Sequence, residues 1–97
     1  MRVISRRTLA IFCHREPNAT AEVLAWHAEV RQAEWNSPSD VKAKYGKASI
    51  LKDGRVVFNI CGNKYRLVFW INYEFLTIYI RFLGTHDEYD QIDAQTV

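Results

Sequence analysis

Cysteine is scarce in this chain of 97 residues: Cys13 and Cys61 are the only two, far apart and outside any CxxC spacing. A disulfide framework is therefore not indicated, and both sit in apolar stretches where buried free thiols are expected. Long hydrophobic runs are also missing. None approaches the roughly 18 residues of a membrane span, and the longest candidate is interrupted by Asn72 and Glu74. The opening MRVISRRTLAIFCHREP has basic residues followed by an apolar patch, but TLAIFC is too short for a secretory leader and no small-residue cleavage site follows. The chain reads as a cytosolic protein without membrane contact. Repeats, low-complexity segments and internal boundaries are absent too, so residues 1–97 are expected to form a single domain.

What is present points to a folded domain with a basic body. Apolar residues make up 48% and aromatic residues 13% of the chain, enough for a modest core. The formal net charge is only +2, but it is unevenly spread. All thirteen Lys and Arg residues lie at or before Arg81 against seven acids, which leaves that part at +6; Asp87, Glu88, Asp90 and Asp93 follow it. A basic body of this kind is compatible with an anionic partner such as RNA.

The periodicity predicts an α+β order. Met1 to Ile4 reads as a short strand. Ser5 is placed to cap a helix over about Arg6 to His14, with Leu9, Phe12 and Cys13 on one face, and Pro17 ends it. Asn18 or Thr20 then caps a second helix to about Glu34, lined by Val23, Trp26, Val30 and Ala33 with Leu24 and Ala28 beside them. Asn36-Ser37-Pro38-Ser39 breaks the pattern, and Ser39 starts a short helical turn through Lys44 that ends at Gly46. From Ala48 the period changes to two. Strands are expected at Val56–Ile60, Tyr65–Ile71 and Ile78–Leu83, with turns at Asp53-Gly54, Gly62-Asn63 and Asn72-Tyr73-Glu74. They read as a curled antiparallel meander with one face against the helices.

Common catalytic signatures are absent: no glycine-rich phosphate loop, no HExxH, no Gly-x-Ser-x-Gly elbow. Cys13, His14, Cys61 and His86 are spread over three separate elements without a ligand spacing, so no metal and no cofactor are expected. Arg66, Arg81, His86 and Tyr89 remain as catalytic candidates, with Lys42, Lys44, Asn63 and Lys64 as RNA-binding candidates. Arg66 and Arg81, on neighbouring strands and one face, would grip a phosphate with two planar forks. His86 can exchange a proton near neutrality, and Tyr89 can stack on a base or bond a phosphate oxygen. Blander readings stand beside these. Thr85 and Glu88 make a capping box, Tyr89 is a core anchor, Trp26, Trp35 and Trp70 are core or interface residues, and Lys42 to Lys47 is a solvated face.

Two segments carry a resemblance: Phe58 to Val68, containing Gly62-Asn63-Lys64-Tyr65-Arg66-Leu67-Val68, and Tyr79-Ile80-Arg81 followed by Thr85-His86-Asp87-Glu88-Tyr89-Asp90. Together with Met1 to Ser5 and Trp35 to Lys42, they resemble the HigB toxins of bacterial toxin–antitoxin systems over almost the whole chain. The resemblance implies a RelE-like fold, an N-terminal strand and two helices packed on a curved antiparallel sheet of three to four further strands. It also implies a metal-independent endoribonuclease that cleaves mRNA, generally on the translating ribosome. The RNA 2′-hydroxyl would attack the adjacent phosphorus, giving a 2′,3′-cyclic phosphate and a free 5′-hydroxyl. The partner implied is a HigA-type helix-turn-helix antitoxin, with DNA contact only through that complex. Two other readings stay open: a catalytically inert RNA- or ribosome-binding module of the same fold, and a protein whose main property is its antitoxin complex.

Overall fold

The computed structural model describes all residues, 1–97. β1 (Arg2–Ile4) leads into α1 (Arg6–Arg15), then α2 (Thr20–Gln32) and α3 (Pro38–Lys44). The meander follows as β2 (Ser49–Ile50), β3 (Arg55–Ile60), β4 (Tyr65–Asn72) and β5 (Thr77–Thr85), and a single turn of helix, α4 (His86–Tyr89), closes the order. The five-stranded sheet runs β1-β5-β4-β3-β2. Neighbours are antiparallel except β1, which pairs parallel with β5 from Arg2↔Thr77 to Ile4↔Tyr79. The expected α+β architecture is present, but the sheet is mixed rather than purely antiparallel: α1 carries the chain away from β1 across the helical face, so β1 cannot form a hairpin with its neighbour.

Helix starts depart from expectation at the side-chain level. Ser5 occupies the residue before α1 but is left-handed, φ 71°, and its hydroxyl makes no capping bond. Neither Asn18 nor Thr20 caps α2; a 3₁₀ turn at Pro17–Ala19 leads into it, and its own bond from Ala19 N–H to Glu16 C=O (3.0 Å) occupies an early donor. α3 begins at Pro38 rather than Ser39, with proline at its first turn, where no N–H is needed.

One core lies between the helices and the sheet. Leu9 and Phe12 of α1 and Val23, Trp26 and Val30 of α2 pack on Val56, Ile60, Tyr65, Leu67, Phe69, Ile71, Ile78, Ile80 and Leu83. Trp26 meets Phe69 at 5.3 Å and Phe12 meets Tyr65 edge-on at 5.2 Å between ring centroids. Trp26 and Trp35 are core residues, as the bland reading has them, whereas Leu24 is 61% exposed. Cys13 and Cys61 are free thiols, but half-buried rather than buried; Cys61 donates its S–H to the Asn18 carbonyl at 3.7 Å.

The opposite face of the sheet is covered in part by the last residues of the chain. Val57 and Val68 point away from the helices and are buried under Ala94, with Ile92, Val97, Phe82 and Tyr89 around them. Arg55 donates to the carbonyls of Val97 (2.5 Å) and Ala94 (3.3 Å), and Gln95 bonds both the N–H and C=O of Lys52. Strands buried on both faces lose their alternation, which is why β3 and β4 read as near-continuous apolar runs.

Candidate active site

The end of the sheet where β3 turns into β4 gathers most of the polar candidates. Cys61 (φ 53°) and Gly62 (φ 67°) are both left-handed and reverse the chain tightly. Glu22 of α2 fastens the turn by accepting the Cys61 N–H, and this carboxylate, after burial, pushes the Cys61 thiol up despite the opposing Lys64. Arg66 then follows on the face away from the helices, opposite Asn59 on β3 and Gly84 on β5. Its Nη1 donates to the carbonyls of Asn63 (2.8 Å) and Tyr65 (3.4 Å), so the turn itself orients the guanidinium. The guanidinium carbon lies 5.8 Å from the Tyr89 ring centroid, and no carboxylate pairs with it. Gly84 has no room for a side chain: a Cβ there would stand 2.6 Å from the Phe82 ring and 3.1 Å from Glu88 Oε1.

α4 places the remaining candidates. Thr85 and Glu88 form a reciprocal capping box: Thr85 Oγ1 accepts the Glu88 N–H at 3.2 Å and Glu88 Oε1 accepts the Thr85 N–H at 2.9 Å. Arg15 of α1 adds a two-pronged pair to Glu88 at 2.5 and 3.1 Å, tying α4 to the helical layer. The His86 N–H donates to the Lys64 carbonyl at 3.1 Å, fixing α4 to the hairpin end, and His86 Nδ1 lies 3.2 Å from Asp90 Oδ2. Tyr89 packs its ring against the Val57–Val68 patch and stands 6.4 Å from Phe82, so the anchor and the functional reading describe the same side chain.

The Thr85 backbone N–H, then Arg15, hold the Glu88 carboxyl below its ordinary range. A carboxyl with a lowered folded pKa stabilises the fold above its unfolded value of 4.5, and that contribution fades as pH falls through the lower folded value. Removing the carboxyl with Glu88→Ala is therefore expected to cost up to about 1 kcal/mol at neutral pH, where its bonds to the Thr85 N–H and to Arg15 are intact. The difference from the parent should shrink in melting curves recorded below pH 4.5.

Arg81 is placed differently from the paired-fork expectation. It lies on β5, next to β4, but the register passes from Val68↔Phe82 to Phe69↔Ile80, leaving Arg81 as an extra bulged residue. Gly84, the partner of Arg66, is three residues further on, roughly 10 Å along the strand. Arg81 Nε donates to the Val97 carbonyl at 3.1 Å, beside Arg55, Asp53, Trp70 and Gln95. The structure thus brings Arg66, Asn63 and Tyr89 together with His86 and Lys64 at the same end, and holds Arg81 apart in a second basic spot with Arg55. Lys64 Nζ lies 5.4 Å from the Tyr65 ring centroid. Lys42 and Lys44 sit on α3, and Lys42 is engaged by the Ala48 carbonyl at 2.7 Å.

Asn59 and Lys47 were not among the candidates. Asn59 is opposite Arg66 and donates to Asn63 Oδ1 at 3.4 Å, a pairing the predicted strand boundaries already contain. Lys47 shares a cleft of about 510 Å³ with Asn59, Gly62, Asn63, Glu22 and Glu29. Cys13, His14 and Cys61 do not gather around His86; the groups near it are the carboxylates of Asp87 and Asp90, all three side chains being exposed.

Fold and site define a small α+β domain with an unpaired arginine beside a tyrosine ring on the sheet face away from the helices. The chain belongs to the HigB toxin family, the RelE-like toxic component of a toxin–antitoxin system, whose model matches residues 19–92. It is similar to the mRNA interferase toxin HigB of Escherichia coli (strain K12), 29% identical over 96 residues, covering 97% of this chain and 92% of that protein. The mRNA interferase HigB proteins of Escherichia coli O157:H7 and Shigella flexneri are similar to the same extent. No helix of the chain is long and apolar enough to cross a membrane.

Proposed function

We infer that this chain is an mRNA-cleaving endoribonuclease whose site centres on Arg66. The observation that carries the reading is the guanidinium itself: oriented by the Asn63 and Tyr65 carbonyls, unpaired with any acid, and 5.8 Å from the Tyr89 ring. That pairing suits a phosphodiester next to an unstacked base, because the planar fork matches phosphate oxygens while the ring accepts a base face. The names of the similar HigB proteins supply the substrate class.

The reaction divides into familiar parts. Arg66 and Lys64 stabilise the charge that develops on the phosphate oxygens. His86 is the proton carrier: with Nδ1 turned to Asp90, Nε2 is the nitrogen left for the substrate. It accepts the 2′-hydroxyl proton as the 2′-oxygen bonds to phosphorus. The bond from phosphorus to the 5′-oxygen breaks, and that oxygen takes up a proton from solvent or from the imidazolium. The products are a 2′,3′-cyclic phosphate and a 5′-hydroxyl, and a DNA strand, lacking the 2′-hydroxyl, is not cut. Arg81 and Arg55 extend the basic path along the sheet, while Asn63, Lys42 and Lys44 add attraction for mRNA or ribosomal RNA that weakens with salt.

The setting proposed is the translating ribosome in the cytoplasm, with neutralisation by a HigA-type helix-turn-helix antitoxin. Induction of this chain alone should arrest growth and create new mRNA 5′ ends, and co-expression of the antitoxin encoded beside it should relieve both. Arrest without new ends would instead mark an RNA- or ribosome-binding module that does not cut.

A further inference from the structure

A second charged region lies across the sheet from Arg66, on the outer side of the helical layer. Arg2 of β1, Arg6 and Arg7 of α1 and Arg31 of α2 line two adjoining hollows that share Arg6 and His27. Neither hollow is lined by any acid, and none of these arginines meets a carboxylate; the ion pairs of the chain are Arg15–Glu88 and His86–Asp90. Arg6 and Arg31, after burial, hold the His27 imidazole below its ordinary range, and His27 Nε2 is buried without a hydrogen-bond partner. Four like charges left unpaired at one place repel one another, and an arriving anion relieves that cost.

The region is not only basic. Between α1 and α2 the hollow becomes an apolar trough of about 490 Å³, walled by Leu9, Ala10 and Cys13 on one side and by Val23 and Leu24 on the other. Leu24, 61% exposed, stands at its mouth on the same stripe of α2 as His27 and Arg31. An isolated exposed leucine needs no explanation, but one beside an apolar trough that ends in arginines reads as half of an amphipathic interface. RNA fits it poorly. No Phe, Tyr or Trp ring lines the trough, its one ring, the His27 imidazole, has its Nε2 buried, and a phosphate strand would leave Leu24 and the trough walls in water.

We propose that the α1–α2 trough and the arginines at its end are the docking surface for an acidic amphipathic segment of the antitoxin. Aliphatic side chains of that segment fill the trough beside Leu24, and its carboxylates meet Arg6, Arg7 and Arg31. The inference rests on the chain being a toxin with an antitoxin partner, and it adds which surface that partner covers and by what chemistry.

The test is titration calorimetry of the full chain with the antitoxin encoded beside it, comparing the parent with Leu24→Glu and with the double variant Arg6→Glu/Arg31→Glu. These side chains lie away from the sheet face that carries Arg66, and circular dichroism checks that each variant is folded. Each variant should bind at least about tenfold more weakly, and the double variant should lose most of the salt dependence of association. Both should still cut mRNA as the parent does. Binding within about threefold of the parent for both variants overturns the proposal, and so does retained antitoxin binding with lost ribosome or RNA binding. A parent that cuts mRNA while its antitoxin affinity ignores these changes refutes the docking surface alone. A parent that binds antitoxin through these residues but cuts no RNA supports the surface and refutes the ribonuclease reading.

Discussion

Arg66→Ala is expected to abolish growth arrest and lower RNA cleavage by roughly 10²- to 10³-fold, the usual loss when one preorganised donor to a developing anion is removed. Arg66 is the cation that the β3–β4 turn orients, through the Asn63 and Tyr65 carbonyls, beside the Tyr89 ring. Arg66→Lys keeps the charge but not the fork, and a lysine cannot bond both turn carbonyls and a phosphate in one plane, so it should restore only a part of the activity. Arg66 is not in the main core, so Arg66→Ala should stay folded and melt close to the parent, separating lost chemistry from lost structure.

The largest effect on stability is expected from Phe69→Ala. Phe69 is fully buried at the centre of β4, packed on Trp26 of α2, and links the sheet to the helical layer. Truncating a buried phenylalanine costs about 3–5 kcal/mol through lost burial and the cavity left behind. A domain of this size is stable by only about 5–15 kcal/mol, so the change removes a large share of it. Thermal denaturation should show a fall of about 12 °C or more. Antitoxin binding and RNA cleavage should both fall with the folded fraction, unlike Arg66→Ala, which spares the first.

Local features were legible in the sequence; long-range ones were not. The capping box at Thr85 and Glu88 depends on a spacing of three residues and is present as expected. The hairpin turn at Gly62-Asn63 and the strands around it follow from apolar, β-rich runs and turn chemistry, and they carry Arg66 to the face away from the helices. The nearness of Tyr89 to Arg66 follows from Thr85 pairing with Tyr65, which sets α4 beside the start of β4. Arg81 was misplaced because a bulge breaks the alternation of β5 and because residues 91–97 fold back over the sheet to meet Arg55 and Arg81. Strand periodicity contains neither event. The clue to the second was the lack of alternation in β3 and β4, which announces two covered faces without saying what covers the second. Ser5 failed as a cap for a related reason: its residue type fits, but the tight link from β1 to α1 puts its backbone in the left-handed region, away from capping geometry.

The central claim is that Arg66 and His86 act together on an RNA phosphodiester, and the chemistry of the cut ends tests it most directly. RNA from cells expressing the chain, or Arg66→Ala or His86→Ala at equal abundance, is assayed for 5′ ends that ligate only after phosphorylation by a kinase. The parent should give abundant new 5′-hydroxyl ends with matching 2′,3′-cyclic phosphates, and either variant few. New ends carrying 5′-phosphates, or undiminished cutting by Arg66→Ala, would contradict it.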